Sequence, residues 1–308
     1  MIGYHIYYQK NKEINFVEIS SQFASALFWK KNFGPIRLYC NSKFLETISL
    51  YKLDSLYDEI NVDILDNIPY DSKTLLKYWS LPKLYAANEI SKLESTYCIL
   101  DTDLWITNYF DWDKSKDFLA FHYESFDLKN KYNPYLIPSS FIDDYSEKEW
   151  DVLAMNCAFM YINNQQMVFD WFEYADKVVK LNKTAKTKNK KDVYTLFIEQ
   201  RVITYICEKL KLNYGTFIPN VYISGLKDDK DLWNPELDFL EAPQKYIKHI
   251  WGLKNFYDSI TLKLLDSIYN DIHSEFGFLE IDFPELYLKR LMIIQNEINT
   301  NIRYTYNA

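Results

Sequence analysis

The stretch YCILDTDLWITN, residues 97–108, decides the fold. Five consecutive strand-forming residues, 96–100, have no polar face, which is the pattern of a strand buried on both sides. Such strands belong to α/β sheets covered by helices on each face. The run ends in Asp101 and Asp103, spaced by one residue, before Leu104, Trp105 and Ile106 turn apolar again. Side chains two apart on a strand project to the same side. Two carboxylates there repel and raise each other's pKa unless something compensates them. A hard divalent cation, Mg2+ or Mn2+, does so. The carboxyl ends of strands are also where open α/β sheets bind ligands. A turn without a metal is the plainer reading of the same residues.

The surrounding chain alternates strand and helix. Residues 1–8 and 36–41 read as strands, and 20–33 reads as a helix stopped by Gly34-Pro35. KFLETISLYKL follows as a helix, and 61–66 reads as a third strand. Residues 72–91 are helical with a break near Pro82. Residues 119–124 and 153–163 read as strands, with 127–147 a long loop between them. Residues 167–181 and 193–212 read as amphipathic helices, separated by the lysine-rich run 183–193, a solvated connector or a cationic lid. Residues 216–224 read as a strand pair or extended loop and 245–254 as a short extended segment. The tail reads as two helices, one ending at Gly277 and one beginning with Pro284 at its first position. The expected architecture is a mixed α/β sheet flanked by helices, a catalytic-type domain over 1–255 and a helical extension over 256–308 packed on it.

Composition limits the function classes. In 308 residues, 48% are hydrophobic and 18% aromatic, which excludes a disordered chain. Six glycines disfavour a dinucleotide fold built on a Gly-rich loop. A net charge of −8 gives no footprint for nucleic acid. Cys40, Cys98, Cys157 and Cys207 each sit in an apolar run without a C-x-x-C pair, so they read as reduced, buried thiols of a reducing cytosol. No secretory signal and no membrane-spanning run are evident, so a cytoplasmic protein is expected, with at most peripheral contact to the inner face of a membrane.

YCILDTDLWI resembles the D-x-D strand of GT-A-fold glycosyltransferases, especially those related to family 8 and to toxin- and capsule-type enzymes. The likeness extends over about residues 36–255 in the order of its motifs. Lys83, in WSLPKLYAA, matches the basic residue of the preceding helix that reaches the donor. Asn156 opens NCAFMYIN, which matches a family strand whose glycine is Ala158 here. Glu199-Gln200 matches an acidic-Gln pair that opens a helix. His249, Gly252 and Lys254 match an H-x-x-G motif followed by a lysine, with the lysine one residue closer than in the family.

The resemblance implies Mn2+ or Mg2+ held by Asp101, Asp103 and His249. It implies a nucleotide-sugar donor, of UDP type, bound by Lys83, Asp101, Asn156, Gly252 and Lys254. Gln200 and Glu199 would stand at the reacting carbon, and Glu124, which follows a strand-like run, could meet an acceptor hydroxyl. The implied reaction is hexosyl transfer, with retention favoured, to a glycan, a lipid-linked or a protein acceptor, as in polysaccharide biosynthesis. Trp79, Trp105, Trp112 and Trp251 are candidates to stack a base or sugar, although aromatics more often build cores. The rival reading is a catalytically silent GT-A-fold protein that binds carbohydrate or nucleotide, which Ala158 favours. A nucleotidyltransferase would carry a Gly-rich basic N-terminal loop, and MIGYHIYYQKNK has none.

Overall fold

The structure, a computed structural model, describes residues 1–10, 14, 16–124, 153–181, 191–222, 246–249, 268 and 270–276. In chain order its elements are β1 (Gly3–Tyr7), α1 (Phe16–Asn32), β2 (Ile36–Cys40), α2 (Ser42–Ser49), β3 (Glu59–Asn61), α3 (Asp63–Asp66), α4 (Ser72–Lys77) and α5 (Leu81–Ile90). Then follow β4 (Tyr97–Leu100), β5 (Leu104–Ile106), β6 (Phe118–Glu124), β7 (Ala154–Met155), β8 (Phe159–Ile162) and α6 (Gln165–Leu181). The described chain continues with α7 (Lys191–Leu196), a π-helical turn (Phe197–Arg201), α8 (Val202–Lys209), β9 (Tyr214–Tyr222) and β10 (Ile247–His249).

Strands β3, β2, β1 and β4 run parallel in that order; β8 is antiparallel to both β4 and β6, and β9 pairs parallel with the far edge of β6. This is a mixed, mostly parallel sheet flanked by helices, the GT-A or Rossmann-like architecture. A separate two-stranded ribbon joins β5 to β10, antiparallel, with Trp105 opposite Lys248 and Leu104 opposite His249.

The alternation that produces the fold is legible in β4. Cys98 and Leu100 enter one apolar layer with α1, α2 and the β5–β10 ribbon. Tyr97 and Ile99 enter the other with α5, α6 and α8. The same division holds along β2, β6 and β8, so the sheet has a buried core on each face. Trp29 anchors the first layer and Trp171 the second, both essentially without exposure. Residues 270–276 are helical, and Ile268 and Ile272 are buried in the α1 layer. No described helix is long and apolar enough to cross a membrane.

Several local readings need correction. Residues 63–66 are helical and the third strand is only Glu59–Asn61; Asn61 Oδ1 accepts from Ile64 N at the helix start, and that local bond favours the turn over a longer strand. Residues 153–163 are an interrupted strand, β7 and β8, broken at Asn156-Cys157-Ala158. The expected break near Pro82 is present, as a restart: Tyr78–Ser80 separates α4 from α5, and Pro82 lies in the first turn of α5, where its missing N–H costs nothing. The expected loop at 127–147, the lysine-rich run up to residue 190, the 1–255/256–308 division and the helix from Pro284 fall wholly or partly outside the described residues.

Candidate metal centre

Asp101 and Asp103 do not ride on a strand. β4 ends at Leu100, and Asp101–Asp103 form a tight turn into β5. Leu104 N donates to Asp101 O at 3.2 Å, and Asp101 N donates to Ala158 O at 2.7 Å, so both sides of the turn are pinned. The expectation that strand pleating aligns the two carboxylates is therefore wrong in its cause; the turn brings them together instead. His249 arrives at the end of β10, and its Nε2 lies 3.4 Å from Asp103 Oδ1. One donor atom each from Asp101, Asp103 and His249 lies within 4.8 Å of the others. Two carboxylate oxygens and an imidazole nitrogen at that separation fit a divalent cation.

Lys83 enters from the opposite layer. Ser80, before α5, is tied to α7: its N–H donates to Thr195 Oγ1 at 3.1 Å and its hydroxyl to Thr195 O at 3.0 Å. That anchorage aims the first turn of α5 at the centre. Lys83 Nζ donates to Asp101 Oδ1 at 2.6 Å, Cys157 O at 2.7 Å and Glu199 Oε1 at 2.9 Å. Burial works against its charge, but Asp101 and Glu199 outweigh burial and hold the ammonium above the ordinary lysine range. Burial pushes the Glu199 carboxyl up, opposed by Lys83 and reinforced by Asp101. The Asp101 side chain is 37% exposed and that of Glu199 only 3%, so Asp101 is the end of this chain of contacts that opens to solvent.

Glu199 and Gln200 do not open a helix. They sit inside the π-helical turn between α7 and α8, where Phe197–Arg201 are all buried. An inserted residue of this kind rotates side chains off the regular helical face, and such turns concentrate at functional sites. A regular amphipathic reading of 193–212 therefore misses the burial of Gln200. Glu199 Oε2 and Gln200 Oε1 are buried with no hydrogen-bond partner among the described residues.

Asn156 and Glu124 form a second buried pair. Asn156 Nδ2 donates to Glu124 Oε1 at 3.0 Å, and Asn156 Oδ1 accepts from Ala158 N at 3.0 Å. These bonds hold the β7–β8 interruption, whose Cys157 and Ala158 carbonyls in turn receive Lys83 and Asp101. In the structure Asn156 thus braces the site through Glu124 and Ala158. Gly252, Lys254 and Trp251 lie outside the described residues. Trp105 is buried, and Trp112 packs against the same layer.

A cleft of about 290 Å³ opens at this edge of the sheet. Asp101, Asp103, Lys83 and Glu199 form part of its wall. Tyr8, Gln9 and the 45%-exposed Trp79 also line it. Tyr8 and Gln9 were not singled out from the sequence, although their place just past the carboxyl end of β1 is the signal that marks them. Asn41 orders that stretch, accepting from Gln9 N and donating to Gln9 O, each at 2.9 Å.

No protein-family model matches this chain, and no curated protein is significantly similar to it in sequence.

Proposed function

We propose that the protein is a metal-dependent glycosyltransferase that moves a hexose from a nucleotide-sugar donor, of UDP type, to a glycan, lipid-linked or protein acceptor. The observation that carries this reading is the convergence of Asp101, Asp103 and His249, with donor atoms within 4.8 Å, where the two aspartates line a cleft on the carboxyl edge of the parallel strands. The mixed carboxylate and imidazole set suits Mn2+ better than Mg2+, which prefers oxygen alone. When bound, the cation supplies charge neutralisation for a leaving diphosphate.

The chain's own residues do the rest. Lys83 holds Asp101 in position and places a second positive charge beside the departing phosphate. Glu199 keeps Lys83 charged and directed. Gln200, buried beside it, is the residue we place nearest the reacting carbon, which favours retention. Glu124, engaged by Asn156, serves better as a brace than as a free base. Asn156 shapes the backbone on which the sugar would lie, and Gly252 and Lys254 remain assigned to the donor phosphates by resemblance. We place the protein in the cytoplasm, with peripheral membrane contact where the acceptor is lipid-linked.

A catalytically silent binding protein is the second reading. It is favoured by Ala158, whose methyl is buried where the resembling enzymes carry glycine. Turnover with a bound donor separates the two.

The test is thermal unfolding with UDP-, GDP- and CMP-sugars, each with and without Mn2+. A ligand that binds the native state at a hundredfold excess over Kd adds about 2.7 kcal/mol. The expected result is a rise in Tm with a UDP-sugar only when Mn2+ is present, abolished by Asp103→Ala in a folded protein. An unchanged Mn2+-dependent rise in Asp103→Ala would end the metal reading.

A further inference from the structure

The two residues that meet at 3.4 Å, Asp103 and His249, come from segments far apart in sequence, and the β5–β10 ribbon joins them. A ribbon of only three residues per strand is not stable alone. It must be held from outside, and the structure shows what holds it. Asn32 Nδ2, at the end of α1, donates to Ile106 O at 2.9 Å, and Thr107 N donates to Tyr246 O at 2.9 Å. These bonds fix the end of the ribbon farther from the metal residues. Nearer the centre, Trp105 and Lys248 stand directly opposite each other, one pair back from Leu104 and His249. Both reach the same carboxylate. Asp271 Oδ2 accepts from Trp105 Nε1 at 2.9 Å, and Lys248 Nζ donates to Asp271 Oδ1 at 2.8 Å and Oδ2 at 2.7 Å.

Asp271 belongs to the helical segment 270–276, which docks on α1 independently of that carboxylate. Ile272 is buried there, Phe276 meets Phe28 edge-on with centroids 5.3 Å apart, and Glu275 pairs with Lys31. The segment therefore has its own apolar seat, and Asp271 uses that seat as a fixed point.

We infer that Asp271 is a positioning residue for the metal centre: its one carboxylate clamps both strands of the ribbon and sets the separation of Asp103 from His249. This rests on the metal reading proposed above. Outer partners of metal ligands commonly change metal affinity 10- to 100-fold, and the shared carboxylate of Asp271 holds both β10, which carries His249, and β5, into which the turn bearing Asp103 leads.

The experiment is Mn2+ binding to the full chain, measured by loss of the free Mn2+ electron paramagnetic resonance signal, for wild type, Asp271→Ala, Asp271→Asn and Glu275→Gln. Glu275→Gln weakens the same helical segment on α1 but leaves the carboxylate of Asp271. The expected result is a Kd raised about 10- to 100-fold in Asp271→Ala, a smaller rise in Asp271→Asn, which still accepts from Trp105, and no change in Glu275→Gln. Equal loss in Asp271→Ala and Glu275→Gln would make the effect one of helix docking and overturn the inference. Wild-type binding with undiminished affinity in Asp271→Ala would overturn it while leaving the metal reading intact. Absence of Mn2+ binding by the wild type would overturn both.

Discussion

Lys83 shows how much one side chain can decide. Its ammonium serves a turn, a broken strand and a π-helical turn, through Asp101, the Cys157 carbonyl and Glu199. Replacing it with Met would leave the Glu199 carboxylate buried without its counter-ion, and breaking a buried pair in this way costs about 3–5 kcal/mol. Glu199 already has a carboxyl pushed up by burial, so losing Lys83 pushes it further and lets it escape the penalty by taking a proton. The loss of stability in Lys83→Met should therefore be large at about pH 8 and smaller at about pH 5. Urea unfolding of both proteins at the two pH values checks this; a penalty that grew on acidification would contradict the assignment. The sequence marked Lys83 as a match to a basic residue that reaches the donor in the enzymes it resembles. Its partners were not legible there, because Glu199 lies 116 positions away and reaches it only through an irregular turn.

At the scale of elements, the legible parts were those whose periodicity is regular. The two-sided apolar run of β4 announced its buried place, and Gly34-Pro35 announced the end of α1. The misread parts were those where a local bond or an inserted residue broke the period: the α3 turn after β3, the gap between β7 and β8, and the π-helical turn. The same interruptions carry much of the candidate site, so Asp101, Asp103 and His249 could be named from the sequence while the manner of their meeting could not. Close packing between elements makes a further demand at Gly3. A Cβ added there would lie 2.5 Å from both Cε2 and Nε1 of Trp29. Trp29 is buried and donates to Pro35 O at 3.1 Å, so it has no room to withdraw. Gly3→Ala should cost about 1–3 kcal/mol, and pairing it with Trp29→Leu should recover part of that loss. Denaturant midpoints for the single and double variants measure the coupling; strict additivity would mean that the two do not clash.

The whole molecule has a pH response set by buried imidazoles. His5 is enclosed, 2.8 Å from both Tyr57 Oη and Ser25 Oγ, and burial lowers its pKa to about 3. Burial also lowers His122 to about 3, against a bond to the Tyr123 carbonyl and with a further push from His249. Both are lowered from about 6.5 in the unfolded chain. The unfolded chain then binds more protons than the native one, so their contribution is complete above about pH 6.5 and is lost as pH falls toward the folded values. Each group would remove up to about 1.4 kcal/mol per pH unit in that window. Urea midpoints between about pH 6.5 and pH 4.5, above most carboxylate titration, should fall steadily, and His5→Gln should flatten the slope. A flat wild-type profile would mean that neither imidazole is kept neutral by the fold.

The two apolar layers give the Lys83–Asp101 contact one more property. Asp103 and His249 are held by the ribbon in the α1 layer, whereas Lys83 and Glu199 belong to α5 and the turn before α8 in the other. The 2.6 Å bond is thus a rivet through the seam between two plates. A shift of α5 against the β4–β5 turn would stretch that rivet, so the shape of the cleft depends on how the two plates are seated.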